Sequence, residues 1–528
     1  MNDFAPGTHS APHTLDRSHR LLAFAVALVA VRIALPLALI HPAWEFHRDE
    51  LLYFAMGDHF EPMRMQFPPF IAAVARGARA LFGDAVLAAR VPAAIGGGAL
   101  LAAMLWFSRR LGAGAWALGM IALATIAAPI FLRPSVLMQP VIFDQLWATL
   151  AIAALALAAV KDEPRWWLLA GIAFGLGALT KFSVAFYIIS AAVAAVATPA
   201  LRRQLSSRWP WVAAGIAAVL ALPSITGQVA HDWPFLAQMS SLRGGQLARV
   251  SPVAFLAEQP LLLGAACLLV PVAVAAAWRG DTATRVTGTV TLALLALMLV
   301  LRGKGYYAAP GYPALLVAAA VWLERRLAAR RASLGRRAAQ VGFPLAVAVG
   351  AVLMLPMGIP TLDPDAMSRF AVSTGVVAAV RTNQGEELAL PQDYADMLGW
   401  RAMAEAVARA YRALPPAERS EVVIVGSNYG EAGALAMYRD RLGLPYPVSV
   451  HGDFHAWGTG GRSGAVTILV DQPDALVQLR ELFDDVREVE RLQDGRAVPE
   501  ERDLRIYVAR APRATLGSLW PTLGPRWN

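Results

Sequence analysis

The chain has 528 residues, 57% of them hydrophobic and 16% charged, with a mean hydropathy of +0.48. Soluble domains carry about 25% charged residues, so a disordered chain, a coiled coil and an ordinary cytosolic enzyme are excluded, and an integral membrane protein is indicated. The net charge of +9 fits Lys and Arg collected in cytoplasmic loops better than a nucleic-acid surface, and the single cysteine, Cys267, leaves no internal disulfide and no Cys-based metal cluster.

An apolar run needs ~20 residues to cross ~30 Å of hydrocarbon. The first spans 21–40, after Arg17 and Arg20. It is longer than a signal-peptide core, and no small-x-small site follows at 41–44, so it reads as a retained helix. Further spans are predicted at 86–107, 112–131, 141–160, 166–180, 182–199, 210–226, 256–278, 284–301, 306–323 and 340–357, about eleven in all. Only Lys181 separates the fifth from the sixth.

The loops between these spans alternate in character. One set is short and basic, with Arg109 and Arg110, Lys161 and Arg165, Arg202, Arg203 and Arg208, Arg279 and Arg285, and the cluster from Arg325 to Arg337. That is the pattern of a cytoplasmic face. The other set is longer, richer in Pro and aromatic residues, and holds most of the acids, so it faces out. An odd number of spans places the tail outside as well. The predicted organisation is a cytoplasmic segment 1–20, a transmembrane part 21–357 with an outward loop 41–85, and an extracytoplasmic α/β domain 358–528. In that domain 421–425, 465–470 and 504–509 read as buried strands, and 395–414 and 430–442 read as helices.

The outward loops concentrate the reactive side chains. Asp49 and Glu50 follow the first span at the membrane surface, then come an apolar-aromatic stretch that includes Tyr53, the run Gln66, Phe67, Pro68, Pro69, and an amphipathic segment 70–82. A helix of that last kind lies in the interface and can frame a lipid-facing cavity. Carboxylates at the edge of hydrocarbon are costly unless used or paired, and Arg48 is the competing partner for this pair. Asp144 opens an otherwise apolar span, where an ionisable group is a functional candidate or a stabiliser of the helix N-terminus. Outward cations run against the charge bias: Lys181, then Arg302 and Lys304 before Tyr306 and Tyr307, then Arg243 and Arg249 in the loop with His231. A phosphate or pyrophosphate would satisfy several of them through charge-assisted hydrogen bonds, and snorkelling to headgroups is the simpler alternative. Three other patterns carry less. Asp363-Pro364-Asp365 lies in a linker, His451 and His455 lack a third metal ligand, and Gly171 with Gly175 has the spacing of close helix packing.

Taken in order, these motifs resemble a known family. Asp49-Glu50-Leu51-Leu52-Tyr53 looks like its D-E-x-x-Y signature, Gln66-x-Pro68-Pro69 like its loop motif, and Phe82-Gly83-Asp84 precedes Arg90 in the same way. Leu179-Thr180-Lys181-Phe182 and Gly303-Lys304-Gly305-Tyr306-Tyr307-x-x-Pro310-x-Tyr312-Pro313 also match, as do Asp396-x-x-Gly399-Trp400 and the stretch from Gly426 to Ala432 in the tail. The family is the GT-C-fold, polyprenyl-phosphate-sugar-dependent glycosyltransferases, which includes bacterial relatives of protein O-mannosyltransferases and aminoarabinose lipid A transferases. The resemblance implies that Asp49 is the catalytic acid of the first outward loop, Glu50 its neighbour, and Asp144 the second-loop acid that shapes the site. Aminoarabinose transferases carry Glu-Lys-Pro where this chain has Gln66-Phe67-Pro68, which removes a carboxylate associated with metal and a lysine associated with donor phosphate. That departure weighs against both a metal and the aminoarabinose substrate, while a divalent metal stays open as a cofactor.

The chemistry also follows from sidedness. No nucleotide-sugar pool exists outside the membrane, so a donor used there is membrane-linked. Transfer from a lipid phosphate needs a base for the acceptor proton and cations for the departing phosphate. Asp49 is the expected base. Arg302, Lys304 and Lys181 are the expected phosphate ligands, with Tyr306 and Tyr307 beside the phosphate or the prenyl chain. Tyr53, Gln66, Pro68, Pro69 and His231 are expected to line the substrate loops. The expected partners are a polyprenyl-phosphate-linked sugar, an envelope acceptor and the bilayer of a bacterial inner membrane, with no nucleic acid. A transporter or flippase would show an internal repeat with midplane binding groups, and no repeat is evident. A lipid-phosphate transferase would need the same cations.

Overall fold

The computed structural model describes residues 12–245, 247–374 and 388–527. The first eleven residues of the predicted cytoplasmic segment lie outside the described residues. The chain is a multi-pass α-helical membrane protein with a small α/β domain at its C-terminal end. Among the described residues eight helices are long and apolar enough to span a bilayer: Ser18–Leu39, Leu87–Arg110, Pro140–Lys161, Trp209–Ala230, Pro252–Trp278, Thr282–Val300, Gly305–Ala329 and Leu334–Gly358. A ninth is broken, because Ala115–Ala127 and Pro129–Ser135 meet at 85°. Pro129 has no amide proton to continue the ladder, and Ala128 before it is extended, at φ −108° and ψ 110°, as a residue before proline prefers.

By length and apolar composition eight or nine spans are counted among the described residues, against about eleven predicted. The segments predicted at 166–180 and 182–199 fold as Trp167–Thr180 and Val184–Ala197, each 14 residues long. At 1.5 Å per residue such helices reach only ~21 Å, short of the ~30 Å core. Lys181, extended at φ −161° and ψ 138°, ends the first of them. The glycine pattern in the first of them serves packing: a Cβ at Gly171 would sit 2.5 Å from the carbonyl oxygen of Ala213.

The connections gather at two ends, in the sets their charges predict. At one end Arg110 and Lys161 lie over the Trp166 ring, Gln204 bonds Asp162, and Arg325 donates to the Leu111 carbonyl. At the other, His41 bonds the Pro360 carbonyl, Gln228 bonds the Gln66 carbonyl, and Arg133 bonds the Met357 carbonyl. Pro140–Lys161 and Gly305–Ala329 are the most enclosed spans, while Ser18–Leu39 and Leu334–Gly358 lie on the outside of the bundle.

The tail domain contains a four-stranded sheet in the order β1 (Val423–Gly426), β2 (Val466–Asp471), β4 (Asp503–Pro512), β3 (Phe483–Gln493). The β1–β2 pair is parallel and the other pairs are antiparallel. Three strands fall where the apolar runs predict them. β3 is an edge strand rich in Asp, Glu and Arg, with no apolar run to mark it. Helix Trp400–Ala413 and helix Tyr429–Leu442 match the two predicted helices, the first shortened by a left-handed turn at Gly399.

Candidate active site

The site is built on helix Arg48–Asp58, which starts where the first span leaves the membrane. Its N-terminus closes on itself. The His47 ring accepts the amide of Asp49 at 3.1 Å, and the Glu50 carboxylate accepts the amide of His47 at 2.8 Å. This is a capping box with histidine in the usual Ser/Thr place. The tail holds the same turn, since the amides of Glu45 and Arg48 bond the carbonyls of Met397 and Asp396.

The two adjacent acids then part company. Glu50 is fully buried, and its carboxylate takes Arg90 and the amide of Met138 as well as its own cap. Its partner is Arg90 rather than Arg48, which instead pairs with Asp396 at 3.3 Å and Glu501 at 3.1 Å. Asp49 is half-buried and faces the other way. Its Oδ2 accepts from the Gln139 side-chain amide at 2.9 Å, and its Oδ1 accepts from the Tyr429 hydroxyl at 3.0 Å. Burial and the charge of Asp49 raise the hydroxyls of Tyr53 and Tyr429 well above the usual tyrosine value. Both stay protonated, so Tyr429 is a donor.

Cations complete the arrangement. Lys304 stands at the turn before span Gly305–Ala329, and the charges bearing on it are Asp49, Lys181, Asp393 and Glu258. Burial lowers its ammonium below the ordinary lysine value, and Asp49 is the foremost charge opposing that. The chain is tight here, because a Cβ at Gly305 would fall 2.1 Å from Glu258 Oε2. Lys181 lies over the rings of Tyr306 and Tyr307, at 5.3 and 5.2 Å. Asp144, 3% exposed, accepts from Ser183 at 2.9 Å and is the anion bearing on Lys181.

The remaining predicted residues sit apart from this group. Arg302 is exposed, in a left-handed turn at φ 52° that ends the preceding span. His231 closes span Trp209–Ala230 and bonds its Gly227 carbonyl. Gln66 is buried between Gln228 and the Asp453 carboxylate, and Pro69 starts helix Phe70–Phe82. His455 stacks on Trp520, and Asp363 caps helix Pro364–Ser373. Among the described residues no group of three His, Cys, Asp or Glu side chains is placed to hold a metal ion. The donor set among them does not fit one.

Sequence reasoning missed Gln139, Ser183, Asp393 and Tyr429 as members of the group. Tyr429 lies within the tail stretch from Gly426 to Ala432 that resembles the family, whereas Gln139, just before span Pro140–Lys161, belongs to none of the motifs named above.

Comparison with known proteins follows the same lines. A family model described as dolichyl-phosphate-mannose-protein mannosyltransferase matches residues 66–226. That segment contains Gln66, Asp144 and Lys181, and begins after Asp49. No curated protein matches the chain. Among solved structures, ArnT from Cupriavidus metallidurans bound to undecaprenyl phosphate is 17% identical, with a TM-score of 0.54, over 94% of this chain and 98% of that one. The apo form of the same protein gives a TM-score of 0.51 at the same identity and coverage. These matches agree with the resemblance to GT-C-fold glycosyltransferases, and the chain shares the fold of the ArnT structures.

Proposed function

We propose that this chain is a membrane glycosyltransferase that moves a sugar from a polyprenyl-phosphate donor to an envelope acceptor, a glycolipid, polysaccharide or protein, on the extracytoplasmic face of a bacterial inner membrane. The observation that carries this reading is the meeting of one oriented, half-buried carboxylate, Asp49, with the lysines Lys304 and Lys181 at a single end of the bundle. The mannosyltransferase family match and the ArnT fold with its undecaprenyl phosphate support it.

In this reading 21–357 is the transferase part, 41–85 its reactive loop and 358–528 an outward domain. Asp49 takes the proton of an acceptor hydroxyl. The acceptor oxygen attacks the anomeric carbon as the C–O bond to phosphate breaks, and Lys304 and Lys181 offset the charge on the departing phosphate. One displacement inverts the anomeric centre. Asp144 and Ser183 place Lys181, Tyr306 and Tyr307 back it, and Glu50 fixes the helix that presents Asp49.

Two measurements test the reading. Purified protein with an acceptor-containing membrane extract is expected to transfer sugar from the lipid-linked donor. Transfer from a nucleotide sugar in membranes depleted of prenyl phosphate, with none from the lipid-linked sugar, overturns it. A reporter active only in the cytoplasm, fused to the C-terminus, is expected to stay silent. Nine or eleven crossings put the tail opposite the N-terminus, whereas eight put it on the same side, so strong reporter activity discards the outward tail.

A further inference from the structure

We propose that Tyr429 of the C-terminal domain is a positioning residue for Asp49, so that the tail domain completes the reactive site rather than standing beside it. The inference rests on Asp49 being the base.

An aspartate turns about a broad terminal torsion, so a carboxylate that must meet one acceptor hydroxyl needs outside tethers. Asp49 has one on each oxygen. Gln139 comes from the membrane part and Tyr429 from a domain 380 residues away in sequence.

The phenol is itself held without help from its hydroxyl. Tyr429 packs against the buried cluster of Ala55, Ala432 and Phe454, and the Arg48 guanidinium lies over its ring at 5.6 Å. Tyr429 is the first residue of its helix. Asn428 caps that helix through the amides of Gly430 and Glu431 and donates to Glu501, the same carboxylate that takes Arg48. Helix Tyr429–Leu442 reaches Asp49 because Gly433 lets it lie on the Leu51 backbone: a Cβ there would be 2.9 Å from the Leu51 carbonyl carbon. Arg48, next to Asp49 in sequence, thus latches the two domains at the residue beside the proposed base.

The test is Tyr429→Phe in the full chain, which keeps the ring and removes only the donor, measured in parallel with Asp49→Asn. A hydrogen bond to a charged group is worth enough that kcat is expected to fall about 10-fold, with the donor KM and the thermal midpoint unchanged, because only the orientation of the base is lost. An unchanged kcat in Tyr429→Phe overturns the inference. A parallel loss of kcat, donor KM and thermal midpoint overturns it too, since that marks a folding role. If Asp49→Asn keeps wild-type turnover, the assignment of the base fails first. If Asp49→Asn is inactive and Tyr429→Phe is not impaired, only the role of Tyr429 fails.

Discussion

Asp49→Asn is expected to lower turnover by roughly 10²–10⁴-fold, the usual contribution of a positioned general base, in a protein that still inserts and folds. The fold tolerates the change because an asparagine keeps both contacts. Its oxygen still accepts from Tyr429, and its amide meets the Gln139 oxygen once that side chain flips. Glu50, not Asp49, ties the loop to Arg90 and Met138, so the helix stays anchored. The variant also removes the anion that most opposes the loss of a proton from Lys304. Lys304 then deprotonates at lower pH than in the wild type, and residual donor use should fade earlier on the alkaline side. Turnover by purified Asp49→Asn close to that of the wild type would falsify the assignment of the base.

Some of this was legible in the chain and some was not, for physical reasons. Asp49 stood out because charge at the edge of hydrocarbon has to be explained, and Lys304 because outward cations oppose the loop bias. What such reasoning cannot reach is who pairs with whom. Glu50 and Arg90 are 40 residues apart and Asp49 and Tyr429 are 380 apart, and no local period records such contacts. Arg48 looked like the partner of its neighbours by adjacency, but the direction of side chains in the first helical turn sends it to Asp396 and Glu501. The same limit explains the spans. Hydropathy found 166–180 and 182–199 as apolar runs split at Lys181, and helices form there, but at 14 residues each they are shorter than the hydrocarbon core is thick. The edge strand Phe483–Gln493 was missed because neither of its faces is apolar throughout, so the period-2 signal that marks a half-buried strand is absent.

Lys304→Ala is expected to reduce kcat/KM toward the donor by roughly 10–100-fold, because a charge-assisted hydrogen bond to phosphate contributes about 1.5–3 kcal/mol. Acceptor kinetics should change little, since the proposed partner of Lys304 is the leaving phosphate. The pH dependence separates a charge role from a packing role. Burial lowers the Lys304 ammonium, Lys181 pushes it the same way, and Asp49 opposes them. The cation is therefore present at low pH and is lost on the alkaline side earlier than for an exposed lysine. Because kcat/KM reports the free enzyme, wild-type donor efficiency should fall as pH rises through that range. Lys304→Arg keeps a charge that does not titrate there, so its profile should lose the alkaline fall. Its absolute efficiency should recover only in part, because a planar guanidinium does not reproduce the compact ammonium. An effect of Lys304→Ala confined to acceptor kinetics, or an alkaline limb unchanged in Lys304→Arg, would assign the donor phosphate to another cation of the site, with Lys181 the first to examine.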